Sequence, residues 1–190
     1  LLFEQVKKYL NYTKDYKFVK EQLYDILKNI ISSYKSGIDF DDNNIYLDKD
    51  YLLVSGTPKT QNTWMDAKYG DNALKIMEEL AKEFEGAPVA KEYKELAAKC
   101  KKAFNEKFYN PKRKCLYDVI GDKKIRPNQL HSLSLTYPVL DPDSDIAEEM
   151  FNTVTKKLLN KYGLKTLAKG EENYIEVYEG DPFKRDMSYQ

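Results

Sequence analysis

The apolar spacing between Asp15 and Tyr34 is what most limits how this chain can fold. Val19, Leu23, Ile26, Leu27, Ile30, Ile31 and Tyr34 fall on one face at helical spacing. A face of that kind must be covered by other apolar surface, and Leu2, Val6 and Leu10 supply a shorter helix. It is expected to lie antiparallel to the first across a turn near Lys14, with Gly37 as the stop of the longer helix.

The same period recurs downstream. Ala73, Met77, Leu80, Ala81 and Phe84 share a face of a helix capped by Asp71 or Asn72 and ended by Gly86 and Pro88. Another runs from Val89 to about Phe108, with Tyr93, Leu96, Ala97, Cys100, Ala103 and Phe104 inward and Asn110-Pro111 closing it. Pro127-Asn128 opens a helical run from Gln129 to about Leu135. Ile146, Met150, Val154, Leu158 and Leu159 mark a further helix, and the acids from Asp141 to Asp145 suit the positive end of its dipole.

Between these helices, Asp39 to Asn44 reads as an acidic turn, Ile45 to Val54 as a short hairpin or extended loop, and Leu116 to Ile120 as a short extended piece. After Gly163 regularity fades, and Gly170 to Gln190 reads as loop. The sum is an all-α fold of about six helices, paired as in a toroid or bundle, with short β-hairpins in long aromatic loops where function is to be sought.

A chain of 190 residues is long enough for one well-buried core, and its length favours one domain. Its 31 Lys and Arg balance 31 Asp and Glu, so no overall field recruits nucleic acid or an anionic membrane. The apolar runs are too short to span a bilayer, and LLFEQVKKYL has none of the layout of a signal peptide, which makes the cytoplasm the expected compartment. Cys100 and Cys115 are expected to be reduced thiols, with Cys100 in the core. Sixteen tyrosines and eight phenylalanines stand against one histidine, a balance that suits stacking on sugar or base rings, although helix interfaces account for most of it.

No Gly-rich phosphate loop, metal-spaced Cys or His cluster, or nucleophile elbow is present, so no metal or cofactor is expected and carboxylates are left as the chemical groups. Paired acids serve reactions through an oxocarbenium-like transition state, one protonating the leaving oxygen while the other activates water. Asp66 is the best proton donor on local grounds, because Trp64 and Met65 beside it are expected to lower the local dielectric and raise its pKa; a turn aspartate beside a core tryptophan is the alternative. Arg126, Asn128 and Gln129 sit at a helix start, where they either bind hydroxyls or merely cap, and His131 beyond them reads as structural. Tyr178, Glu179, Asp181, Arg185 and Asp186 form a dense polar run that is either a hydroxyl clamp or a solvated tail.

Four motifs appear in the order, and mostly at the spacing, of one family: TWMDAK at 63 to 68, RPNQL at 126 to 130, YGLKTL at 162 to 167 and YEGDPFKRDMSY at 178 to 189. On them the chain resembles the amylo-α-1,6-glucosidase domain of glycogen debranching enzymes, in its bacterial and archaeal form. The resemblance implies an (α/α)6 toroid, an inverting hydrolase and a substrate of glycogen or branched α-glucan. It implies that Asp66 is the general acid, that Trp64 lines the pocket and that Asn128, Glu179 and Asp181 meet the sugar; Lys68, Arg126, Gln129, Tyr178, Arg185 and Asp186 are further expected substrate contacts.

The chain departs from the family where Asp71 runs straight into Asn72-Ala73-Leu74, at the place where the family carries a loop and a glutamate-containing segment. The family's base is a glutamate expected beyond residue 190, and its early helices would precede Leu1. Residues 1–190 are therefore expected to be the central portion of a single glycoside hydrolase domain, truncated at both ends and inactive or feeble alone. The rival readings are another inverting toroid glycosidase, of glucoamylase or trehalase type, and a non-catalytic helical module that binds glycan or protein.

Overall fold

The apolar stretch after Asp15 is helical, but in two registers. In the computed structural model, which describes residues 1–40, 43–55, 66–177 and 179–186, helix α1 (Leu2–Thr13) ends at Lys14 in the left-handed conformation, φ 57°. Asp15 then caps α2 (Tyr16–Phe18), its Oδ1 accepting from the Phe18 N–H at 2.9 Å. A π-helical turn over Val19–Leu23 leads straight into α3 (Tyr24–Ser36).

The π turn corrects the expected face. Its wider loop takes one extra residue, so the buried positions run Val19, Tyr24, Leu27 and Ile31, a step of five followed by steps of three and four. Tyr24 takes the inward place expected of Leu23, and Ile26 is turned outward, 50 % exposed.

Strands β1 (Ile38–Phe40), β2 (Asn43–Leu47) and β3 (Leu53–Ser55) form an antiparallel sheet in that order, where the sequence suggested at most a hairpin. Ile45 is the shared rung, opposite Ile38 on one side and Ser55 on the other. The Asp48 carboxylate makes the β2–β3 turn by accepting from the N–H groups of Asp50 and Leu52 at 2.8 and 2.9 Å. Strand β2 packs on α3, and β3 packs on the next helix, α4 (Asp66–Phe84).

Helix α4 does not start at the expected cap. Asp71 and Asn72 lie inside it, buried at 2 % and 1 % exposure, ahead of the core residues Leu74, Ile76, Met77, Leu80 and Ala81. Helix α5 (Ala87–Lys107) follows, with Ala97, Cys100, Ala103 and Phe104 inward as expected.

The described residues pack as two compact units, one of residues 1–105 with 134–139 and the other of 106–133 with 140–190. In the second unit, β4 (Tyr109–Asn110) pairs with β5 (Cys115–Leu116), and a 3-10 turn over Pro127–Leu130 runs into α6 (His131–Ser134). Helix α7 (Asp145–Leu158) packs on β5 and on the 3-10 turn, burying Ala147, Met150, Val154 and Leu158. The Ser144 hydroxyl caps it, accepting from the Ala147 N–H at 3.2 Å. Leu159, expected on that helix, instead opens β6 (Leu159–Asn160), 55 % exposed, paired with β7 (Gly163–Leu164). The tail is not all loop, since α8 (Pro182–Asp186) lies within it. Among the described residues, no helix is long and apolar enough to cross a membrane.

One buried charge organises the first unit. Glu4 on α1 is 5 % exposed, with Oε1 accepting from the Thr136 hydroxyl at 2.8 Å and Oε2 accepting from the Asn72 amide at 3.0 Å. The Asn72 carbonyl oxygen in turn accepts from the Tyr137 N–H at 3.0 Å, so α1, α4 and the segment 134–139 meet in one network. Glu4→Ala is expected to leave the Asn72 amide and Thr136 hydroxyl without that acceptor and to cost about 2–4 kcal/mol. Urea unfolding checks this, and a loss below about 1 kcal/mol would show the network to be incidental.

Candidate functional site

The motif that carries the chemical expectation lies at the start of α4. Asp66 is its first residue and Lys68 lies in its first turn, both in the first unit, and of these two only the backbone is described. Trp64 lies outside the described residues. At Gly70 an added Cβ would meet Cys100 Sγ at 3.5 Å, so this part of the helix presses closely on α5.

The next residue, Asp71, is an acid in strongly perturbed surroundings. Its Oδ1 is buried with no hydrogen-bond partner, and burial pushes its carboxyl up to about 6, against the opposing pull of Lys101 and Lys75. Such a value suits a proton donor near neutrality, but a side chain 2 % exposed does not meet a polysaccharide. Across from it, burial, aided by Asp71 and Asp48, pushes the Cys100 thiol up to about 12, which makes it an inert core thiol. Cys100 and Cys115 are both free and buried. The spacing did contain a signal for Asp71, which stands three residues before Leu74 on the inward side of α4.

The RPNQL motif forms the second cluster, in the second unit. Arg126 precedes the 3-10 turn in extended conformation, Pro127 fills its first position, and no side chain caps it. The Arg126 Nε lies 3.9 Å from Asp118 Oδ2, and the Asn128 amide donates to the same oxygen at 3.4 Å. Asp118 and Arg126 are 2 % and 8 % exposed, while Asn128 is half-buried, so Asn128 is the most accessible of the three.

Gln129 is wholly buried: its Oε1 accepts from the Leu116 N–H at 2.9 Å and its Nε2 donates to the Arg126 carbonyl at 2.9 Å. Both ends of the amide therefore hold the 3-10 turn against β5. Asp118 was not singled out from the sequence. Its eight-residue separation from Arg126 was the available sign, and only the return of the chain makes them neighbours.

In the polar run near the end, Tyr178 lies outside the described residues, and Arg185 and Asp186 are described in backbone alone, within α8. Glu179 and Asp181 are exposed, and Asp181 Oδ1 accepts from the Lys184 N–H at 2.9 Å, holding the first turn of α8. Among the described residues, no group of three His, Cys, Asp or Glu side chains is placed to hold a metal ion.

The model of the family described as amylo-alpha-1,6-glucosidase matches residues 1–190. No curated protein matches the chain.

Two substitutions separate structural from ligand-binding roles here. Gln129→Leu is expected to destabilise the chain by about 1–3 kcal/mol, because the Leu116 N–H loses its buried acceptor; thermal unfolding reads the change. Asp71 binds its proton more tightly folded than unfolded, so its contribution is fully present below pH 3.8 and is lost as pH rises to about 6. Asp71→Asn should therefore raise stability at neutral pH by up to about 3 kcal/mol and change little below about pH 4, as urea midpoints across pH would show.

Proposed function

We propose that this chain, which belongs to the amylo-alpha-1,6-glucosidase family, carries the general acid of a glycogen-debranching glycosidase site. The observation that carries this reading is a family match over residues 1–190 in which the Trp-Met-Asp motif leads into α4 with Asp66 as its first residue. The ligand is glycogen or a branched α-glucan, and the reaction is hydrolysis of α-1,6-linked glucose stubs with inversion.

In this reading Asp66 protonates the C6 oxygen of the leaving chain as its bond to C1 breaks, and a second carboxylate draws the proton from a water attacking C1 on the opposite face. Room for that water requires the two carboxyls to stand roughly 6.5–9.5 Å apart. Trp64 is a sugar platform, and Lys68, Arg126, Asn128, Tyr178, Glu179, Asp181, Arg185 and Asp186 are candidates for hydroxyl contacts, with Gln129 supporting the turn that presents Asn128.

The place of Asp66 at a helix start sets a physical condition on this role. The positive end of the helix dipole favours the carboxylate over the acid, by about 0.3–1 kcal/mol at an exposed site. A proton held near neutrality then requires the apolar neighbours and the bound sugar to outweigh the dipole through desolvation.

Glucose release from a branched limit dextrin, compared between the native protein and Asp66→Asn, tests the assignment. Loss of about 10² to 10⁴ in rate is expected of a general acid. A loss of less than about tenfold would sink it.

A further inference from the structure

The second unit also presents an aromatic surface built on a rigid turn. At the tip of the β6–β7 hairpin, Tyr162 is 86 % exposed, yet the backbone beneath it is fixed. The Asn160 side chain accepts from the N–H groups of Tyr162 and Gly163 at 2.8 and 3.1 Å, and Gly163 has φ 143°, a conformation that other residues rarely adopt.

The chain leaving the hairpin is anchored as firmly. Lys165 N–H donates to the Leu158 carbonyl at 3.0 Å, Ala168 N–H donates to the Ile125 carbonyl at 3.1 Å, and Leu167 and Ala168 are buried. Between the hairpin and the returning chain lies an open groove of about 320 Å³, with Asn160, Tyr162, Thr166, Tyr174 and Glu176 on its walls.

The chemistry of this groove selects a neutral polyol. Lys161 Nζ lies 4.7 Å from the Tyr162 ring centre, but at 86 % exposure that ring still offers a flat apolar face, and the amide, hydroxyl and carboxylate groups offer hydrogen bonds of both senses. Lys165 in its wall and Lys169 beside it each have a partner. Lys165 Nζ lies 5.4 Å from the Tyr174 ring centre and 3.2 Å from its hydroxyl, and Lys169 pairs with Glu176 at 2.9 Å. Few convergent polar groups around aromatic surface is the usual make-up of a small-ligand site, and an exposed rigid ring costs little entropy to bury.

We propose that Tyr162 and the groove beside it bind an α-glucan chain, with the Tyr162 ring stacking on a glucose face and Asn160, Thr166 and Glu176 meeting its hydroxyls. The ligand class rests on the glycosidase reading above. The site holds the polymer by a residue that takes no part in cleavage.

Electrophoretic retardation of the native protein in gels containing glycogen, with titration by maltoheptaose, measures the binding. Tyr162→Ala is expected to weaken both by about tenfold, while Tyr162→Phe keeps the ring and the affinity. Because Tyr162 is 86 % exposed, its removal should leave the thermal unfolding curve unchanged, which separates lost binding from lost fold. Glucose release from isomaltose, too short to reach a second site, should be the same in Tyr162→Ala as in the native protein.

Equal retardation of native and Tyr162→Ala proteins, or none of either, overturns the site whatever hydrolysis shows. Equal Tyr162-dependent retardation by a soluble cellulose derivative overturns the α-glucan class. Failure of the glycosidase reading has a different signature, absent glucose release with Tyr162-dependent glycogen binding intact, and that result supports the binding site.

Discussion

The first unit depends on the Glu4 carboxylate being satisfied where it is buried. Burying such a group is expensive, and it becomes tolerable only when partners in fixed positions take its oxygens. Here Thr136 takes one oxygen at 2.8 Å and Asn72 takes the other at 3.0 Å, and Asn72 passes the constraint on to Tyr137. Three parts of the chain far apart in sequence are thereby held in one geometry. Apolar packing is roughly indifferent to rotation about a helix axis, whereas these hydrogen bonds are not.

That constraint fixes α4, and α4 bears the residues that matter most to the proposed chemistry. Asn72 sits in the network, Asp71 beside it faces Cys100 and α5, and Asp66 opens the same helix. Asp71 is sealed in the core with an unpaired oxygen, while Asp66 is the first residue of the helix. The second unit repeats the principle with Gln129, whose amide ties the 3-10 turn to β5 and so sets where Asn128 presents itself beside Asp118.

The helices were legible wherever burial followed a plain period. α1, α5 and α7 lie close to where the apolar spacing put them, because each buries one face in one register. The long face after Asp15 was misread at Ile26, since a π turn has no sequence signature comparable to the apolar stripe it displaces. The cap at Asp71 or Asn72 was misread for a different reason. Asp and Asn favour helix starts when they are exposed, but here Glu4 and Tyr137 hold Asn72 inside, and Asp71 is buried beside it with one oxygen unpaired. Of the candidate site, the motifs were legible and the partners were not: nothing in RPNQL names Asp118, and nothing in Gln129 says that both ends of its amide go to backbone.

The sequence by itself determined the helical texture, the absence of an overall charge bias, and the motifs by which the chain joins its family. These are properties of composition and short spacing, which survive without knowing what touches what. Only the tertiary structure decided which acids are buried, which amides are consumed in holding turns, and which tyrosine stands in water at the end of a fixed hairpin. Burial and hydrogen-bond satisfaction here join residues distant in the chain, such as Glu4 to Thr136 and Asn72 to Tyr137, so they come into being only when the chain returns on itself.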